Sequence, residues 1–585
     1  MILHLSQDQQ FVVFKHEDPR EKKALETTPG FLREGLIFYT PARGHIVNNL
    51  IFRLRRKGVD KIGAGSGISD LLQKAKELKQ LPKSFAFYTK PLEHQHIALR
   101  FGYTYERFGL LLEPGLGKTK VILDYVHLLL QEGLISKACI VCPKPLLFIW
   151  KEESEKHRPE LKVHIIETSS WDKEKALCEG SDVIVVNYDK FVTLSDAFRA
   201  LRFGFLGVDE GLIKNHTTNR SKAILRLSRE VPYKSIMSGT LVNNSPLDVF
   251  SPIQFLEPSL VGTSFTRFKD EYSLASKANR NIVIGFKHVP EVKDILRSCS
   301  IVMRKEEWLK NLPTKTFHEI YVQMGDLQRG HYQDLASNYI VQIQTEEGDK
   351  FVEVDNPLQV LIKLTQISQG FLYYKDALEA DELKELFCEG KDTKVVRKTF
   401  FYEGQPKMEA LLKLVEAEGF NRGVGLKRRS LIWYTTIAER AIIESGLARA
   451  GHTFLTIAGG MKNVGGIVKE FNTNPSFRFL VCQAKSINYG VTIMGSGPEE
   501  DTEVVPDFDP SVADEIFYSV GFSLEVFLQQ QDRIHRIGQL QPCHYWLIMT
   551  NSPIERKVNS MLQKKLECNR AILVDIAESL DLGDL

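Results

Sequence analysis

Residues 108–130 read FGLLLEPGLGKTKVILDYVHLLL. An apolar run of strand length ends at Leu112, and a helical pattern of apolar residues begins near Lys118. Between them, Gly115 and Gly117 permit a tight turn whose backbone N–H groups can face an anion. The helix that follows adds the positive end of its dipole. Lys118 is then placed to reach β- and γ-phosphates, and the Thr119 hydroxyl to ligate magnesium. Leu112 stands where the strict GxxxxGK[ST] pattern has its first glycine, so the strand–turn–helix context carries the reading.

Further along, KACIVCP, DVIVVNY, FLGVDE and KSIMSGT repeat the alternation of short apolar strands with helical stretches, from about 108 to 300. The alternation returns after about 405 with RRSLIWY, HTFLTIA, FRFLVCQ and DEIFYSV. Strands alternating with helices predict parallel sheets covered on both faces, and hence two α/β units. A largely helical stretch is expected to separate them. The 585 residues are too many for one core.

Lys plus Arg number 76 against 74 acids, so a nucleic-acid surface would have to be a local patch. No apolar run has the ~18 residues of a membrane span, and MILHLSQDQQ has no signal-peptide pattern, so a soluble intracellular protein is expected. Cys139 and Cys142 have metal or redox spacing, but no second pair completes a zinc site; they are expected to be core residues of a strand.

FGFLGVDEG places Asp209 and Glu210 at the C-terminal end of a strand, 91 positions after Lys118. Ligands gather at that edge of open α/β sheets. Asp209 is the expected magnesium ligand, and Glu210 the residue that orients or deprotonates the attacking water.

These motifs, in this order, resemble the superfamily-two helicases, and among them the Swi/Snf-type double-stranded DNA translocases. LEHQ with Gln95 resembles the adenine-reading motif, EPGLGKT (113–119) motif I, VCPKPLLFIWKEE (141–153) motif Ia and VVNYDK (185–190) motif Ib. VDEGLIKN (208–215), SGTLVNN (238–244), and MRKEEWLKNLP with Lys315 continue the series. IWYTT (432–436) and QAKSINYGVTI (483–493) resemble motifs IV and V, and QDRIHRIGQ (531–539) is the most specific match.

The resemblance implies two RecA-like lobes with ATP between them: lobe one over 86–255, a helical region over 256–404, lobe two over 405–565, an N-terminal accessory module over 1–85 and a tail over 566–585. It implies that Gln95, Gly115, Leu116, Gly117, Lys118, Thr119 and Gly490 bind nucleotide. Arg533 and Arg536 would reach the γ-phosphate, while His535 has a structural role. Lys144, Tyr188, Ser238, Gly239, Thr240 and Ser486 are assigned to DNA contact or coupling.

Leu212 replaces the motif II histidine, Leu241 stands where the family often has proline, and the acidic loop 495–511 is long. Arg53, Arg55, Arg56 and Lys57 form a candidate phosphate patch in a segment that loosely resembles the substrate-recognition modules of annealing helicases. The expected activity is ATP- and Mg2+-dependent translocation on double-stranded or branched DNA, by a monomer, alongside replication or recombination proteins. The expected setting is the nucleoid or host-cell cytoplasm in phage or bacterial replication, recombination or repair. A strand-separating DNA or RNA helicase and a nucleotide-switched DNA scaffold are the alternatives.

Overall fold

In the computed structural model, Asp18 accepts hydrogen bonds from Arg20 N (2.7 Å) and Glu21 N (2.9 Å), starting helix Pro19–Thr27. The structure describes residues 1–585 except 8, 17, 29–30, 35–36, 42, 58, 60, 66, 75–76, 211–212, 214, 240–244, 277–281, 311, 346–347, 355–356, 375–397, 422–426, 462, 485, 487–492, 494–507 and 580–585. Thr240, Gly490, Leu212, Leu241 and most of the acidic loop therefore lie outside the described residues.

The first helix packs with helix Gly44–Arg56 on a five-stranded sheet ordered Leu32–Glu34, Ile37–Pro41, Phe11–Lys15, Ile2–Leu5, Gly63–Ala64. Helix Gly44–Arg56 has two apolar stripes at helical spacing. Val47, Ile51 and Leu54 enter the small N-terminal core, while Ile46 and Leu50 enter the core of the neighbouring α/β sheet.

Arg53, on the same stripe as Ile46 and Leu50, is 1% exposed and donates to the Leu260 carbonyl (2.8 Å) and the Tyr272 hydroxyl (3.2 Å). Arg56 pairs with Asp294 (3.4 Å) and Lys57 with Glu271 (3.4 Å). Three members of the expected phosphate patch are thus engaged by protein. Their helical spacing was visible in the sequence; the partner surface 200 residues away was not.

The chain divides into two compact units: Met1–Lys310 with Glu567–Leu585, and Asn311–Leu566. The first unit holds a seven-stranded parallel sheet, ordered Ser300–Met303, Arg107–Leu112, Tyr233–Met237, Phe205–Asp209, Ala138–Cys142, Val183–Asn187, Val163–Ile165. Strands buried on both faces read as continuous apolar runs, as Val183–Asn187 does. The second unit holds a six-stranded parallel sheet, ordered Lys315–Val322, Cys543–Thr550, Phe508–Phe517, Lys427–Tyr434, Phe479–Gln483, Phe454–Ile457. Two α/β units with parallel sheets is the expected class.

The boundary after 255 is displaced. Helices Phe250–Leu256, Phe265–Tyr272 and Val289–Arg297 pack into the first core, and Ser300–Met303 is an edge strand of the first sheet. Lys315–Val322 is an edge strand of the second sheet, and two hairpins, Ile340–Thr345 with Gly348–Glu353 and Phe371–Tyr374 with Lys398–Phe401, interrupt the region expected to be helical. One edge strand has only four residues, and the other mixes Lys315, Thr316, His318 and Glu319 with its apolar residues, so neither has the long apolar run of an inner strand. The expected tail boundary at 565 falls inside helix Pro553–Ser579. No helix among the described residues is long and apolar enough to cross a membrane.

Cys139 and Cys142 are buried in their strand, and burial pushes both thiols up. The basic run Lys427–Arg429 opens a strand. Arg429 is fully buried and donates to the carbonyls of Phe477 (2.8 Å) and Asn474 (3.2 Å).

Arg53→Ala removes two hydrogen bonds to buried acceptors and the packing of the arginine stem. Urea unfolding of the full chain is expected to show a loss of about 1–3 kcal/mol, against a small change for the exposed Arg55→Ala.

Candidate functional site

The turn Glu113–Gly117 joins strand Arg107–Leu112 to helix Lys118–Gln131. Gly115 (φ 93°) and Gly117 (φ 81°) occupy the positive-φ region that favours glycine. A Cβ on Gly117 would lie 2.3 Å from Gln95 Nε2, so a side chain there would displace the Gln95 amide.

The turn is held at both ends. Glu113 N donates to the Met303 carbonyl (3.1 Å), and Glu113 Oε2 accepts from Lys305 N (2.8 Å). At the other end the Leu116 carbonyl lies 3.2 Å from Gln95 Nε2 and 2.9 Å from His94 Nε2. Burial lowers the His94 pKa, so the neutral ring donates one N–H. Gln95 also fixes its own amide by accepting from Leu92 N (3.0 Å). Leu116 is buried and Thr119 is half-buried at the first turn of the helix. Lys118 Nζ donates to the Leu112 carbonyl (3.0 Å).

Asp209 ends strand Phe205–Asp209; strand Tyr233–Met237 lies between it and the strand that feeds the turn. It is 6% exposed. Its Oδ2 accepts from Trp150 Nε1 (2.9 Å), its Oδ1 from Glu210 N (3.0 Å), and its own carbonyl from the Tyr188 hydroxyl (2.6 Å). Burial raises the Asp209 pKa, against the opposing pull of the Lys118 charge and the Trp150 and Glu210 N–H groups. The next residue, Glu210, takes φ 59°, a conformation in which a non-glycine residue is uncommon.

Beside them, Ser238 N donates to the Leu110 carbonyl (3.2 Å), and a Cβ on Gly239 would meet Pro114 Cδ at 2.7 Å. The structure thus brings Gln95, Gly115, Leu116, Gly117, Lys118, Thr119, Asp209, Glu210, Ser238 and Gly239 to one edge of the first sheet. Thr119 hydroxyl and Asp209 carboxylate oxygens are hard donors of the kind that fit magnesium.

Tyr188 and Ser238 are buried, which places them in support of the loop rather than on a DNA-facing surface. Lys144, by contrast, is exposed on the single turn Lys144–Leu146. In the second unit, Ser486 donates to Gln483 Oε1 (3.0 Å), which also accepts from Gly459 N (2.7 Å).

Arg533 is buried after helix Leu524–Gln531 and donates through Nε to the Gln529 carbonyl (3.0 Å). Its charge and that of Lys315 oppose the strong upward push that burial gives Glu515, which accepts from Trp433 Nε1 (3.0 Å). Arg536 is only half-buried. His535 Nε2 lies 2.9 Å from the Pro313 carbonyl, a structural contact as expected.

His94 and Glu113 were not singled out by sequence, and Trp150 only as the tryptophan of the motif Ia-like segment 141–153. Trp150 alone left a trace: its indole falls with Leu147 and Ser154 on the buried stripe of helix Leu147–His157.

Comparison with known proteins matches residues 94–370 to the SNF2-related domain. It is 23% identical to the TATA-binding protein-associated factor MOT1 of Saccharomyces cerevisiae, over 83% of this chain and 28% of that protein. It is 23% identical to an uncharacterized ATP-dependent helicase of Mycoplasma pneumoniae (83% and 43%) and 24% identical to the DNA repair and recombination protein RAD54B of Gallus gallus (81% and 52%). The chain thus spans 28 to 52% of the length of these relatives. Among solved structures, the Sulfolobus solfataricus SWI2/SNF2 ATPase core in complex with dsDNA aligns at 19% identity and TM-score 0.38, covering 86% of this chain and 97% of that one.

Burial makes the charged form of Asp209 the costly one, so its folded-state pKa lies above its unfolded value. That cost is present above the folded-state pKa and relieved as pH falls through it. Asp209→Asn keeps an acceptor for Trp150 and removes the charge. Thermal unfolding of the nucleotide-free protein is expected at a higher midpoint for the variant at neutral pH. The difference should shrink as the medium is acidified.

Proposed function

We propose that this chain, with its match to the SNF2-related domain, hydrolyses ATP and uses the cycle to translocate on double-stranded DNA. The proposed task is remodelling branched DNA or protein–DNA complexes in replication, recombination or repair. One observation supports this above others: a glycine turn carrying Lys118 and the buried Asp209, followed by the half-buried Glu210, share one sheet edge, close enough for the Lys118 charge to act on Asp209.

In this reading the N–H groups of the Gly115–Thr119 segment hold phosphate oxygens, and Lys118 exchanges the Leu112 carbonyl for the β- and γ-phosphates. Thr119 and Asp209 would hold magnesium, which supplies charge neutralisation on the phosphate oxygens when bound. Glu210 orients the attacking water. Arg533 and Arg536 are proposed to stabilise the charge that develops on the transferred phosphoryl, for which a planar fork of donors suits better than an ammonium. Lys144 contributes to a surface that tracks backbone phosphates without reading bases.

The name of the Gallus gallus relative, a DNA repair and recombination protein, supports the biological setting. We extend the reading to a monomer working in the nucleoid or host-cell cytoplasm of a phage or bacterial system.

ATP turnover measured with single-stranded, duplex, forked and four-way DNA tests the proposal. Duplex and forked DNA should stimulate most, and Lys118→Ala should lower the stimulated rate by about 10²–10³-fold. Turnover that ignores both DNA and Lys118 would overturn it. Efficient unwinding of simple tailed duplexes would instead favour a strand-separating helicase.

A further inference from the structure

Asp209 accepts from two rings on two different helices. The single turn Lys144–Leu146 leaves strand Ala138–Cys142 and runs directly into helix Leu147–His157. That short segment carries an exposed cation, Lys144, on its outside and Trp150, 2% exposed, on its inside. The Trp150 indole N–H reaches the Asp209 carboxylate at 2.9 Å.

The adjacent strand Val183–Asn187 is followed by helix Tyr188–Thr193. Lys190 is half-buried, and its ammonium donates to the Ile166 carbonyl (2.9 Å); burial lowers its pKa, and the Lys144 charge acts in the same direction. Tyr188, 3% exposed, donates its hydroxyl to the Asp209 carbonyl at 2.6 Å. Asn187 fixes that helix by accepting from Asp189 N (3.1 Å) and Lys190 N (2.9 Å).

Each segment therefore carries a cation, exposed at Lys144 and half-buried at Lys190, together with an aromatic donor to the carboxylate or main chain of Asp209. A shift of either segment moves a donor of Asp209, because the cation and the ring belong to one short continuous stretch, Lys144 to Trp150 in one and Tyr188 to Lys190 in the other. The Glu210 backbone, held at φ 59° directly after this anchor, inherits its placement from Asp209.

We propose that Trp150 and Tyr188 are positioning residues that relay occupancy of the Lys144–Lys190 surface to the metal-binding carboxylate, making phosphate chemistry responsive to nucleic acid. The inference rests on the nucleotide and DNA reading above and names the regulation of that same site. Both rings act through Asp209.

The experiment uses the full chain. A fluorescent ADP analogue is titrated with and without Mg2+, and ATP turnover is measured with and without duplex DNA, for wild type, Trp150→Phe and Lys118→Ala. Trp150→Phe keeps the ring and loses the N–H. Its Mg2+-dependent gain in nucleotide affinity and its stimulation by duplex are expected to fall by about tenfold or more, the usual cost of losing a donor to a metal-binding carboxylate. Its metal-free affinity should stay near that of wild type. A purely structural role would lower the unfolding midpoint and leave the Mg2+-dependent gain untouched.

Wild-type Mg2+ gain and duplex response in Trp150→Phe, with nucleotide binding still lost in Lys118→Ala, overturns the relay and leaves the nucleotide reading standing. Nucleotide binding that survives Lys118→Ala overturns both. Should Trp150→Phe fail to fold, Tyr188→Phe loses the other donor to the same residue, and the same two outcomes decide.

Discussion

A carboxylate taken out of water sets the terms for the first unit. Asp209 ends a strand buried on both faces, and an ionised carboxylate there is tolerable only with donors supplied by the protein. Trp150 and the Glu210 N–H supply them, and Lys118 supplies the opposing charge. Those donors come from the loops after two neighbouring strands and from the glycine turn, so one charge ties three segments together. The parallel sheet makes this possible, since every strand delivers its loop to the same edge. Gly117 and Gly239 complete the arrangement by leaving room, one for the Gln95 amide and the other for Pro114.

What could be read from sequence was local, and what could not depended on partners far along the chain. The glycine turn, the inner strands and Asp209 announce themselves because each is defined by neighbours within about ten residues. Strand Ser300–Met303 is too short to announce itself, yet its last carbonyl and the Lys305 N–H beyond it hold Glu113 at the start of the turn. Trp150 lies on an ordinary apolar stripe, and only the fold shows that its N–H ends on Asp209 59 residues away. The N-terminal helix carried the clearest false signal. Arg53 sat in a run that looks phosphate-seeking, and a carbonyl 207 residues away claims it.

Arginine clusters in this chain therefore mean what their partners make them mean. Arg53 and Arg429 are buried and donate to main-chain carbonyls, and Arg478 pairs with Glu416 (2.6 Å). Guanidinium suits that role, because its fixed fork satisfies several acceptors at once and its stem packs as hydrocarbon. With 76 cations against 74 acids, little net field remains for a polyanion beyond what local surfaces supply.

The same logic separates the two lysines of the first sheet edge. Lys144 is exposed and free to meet a phosphate that arrives with its own solvent. Lys118 is half-buried and already donates to the Leu112 carbonyl. In the proposed reading, a phosphate would give Lys118 a more strongly charged oxygen acceptor in place of that carbonyl. A turn whose glycines, carbonyls and lysine are fixed in advance spends little on reorganisation when an anion arrives, which is the condition under which a short loop can bind phosphate tightly.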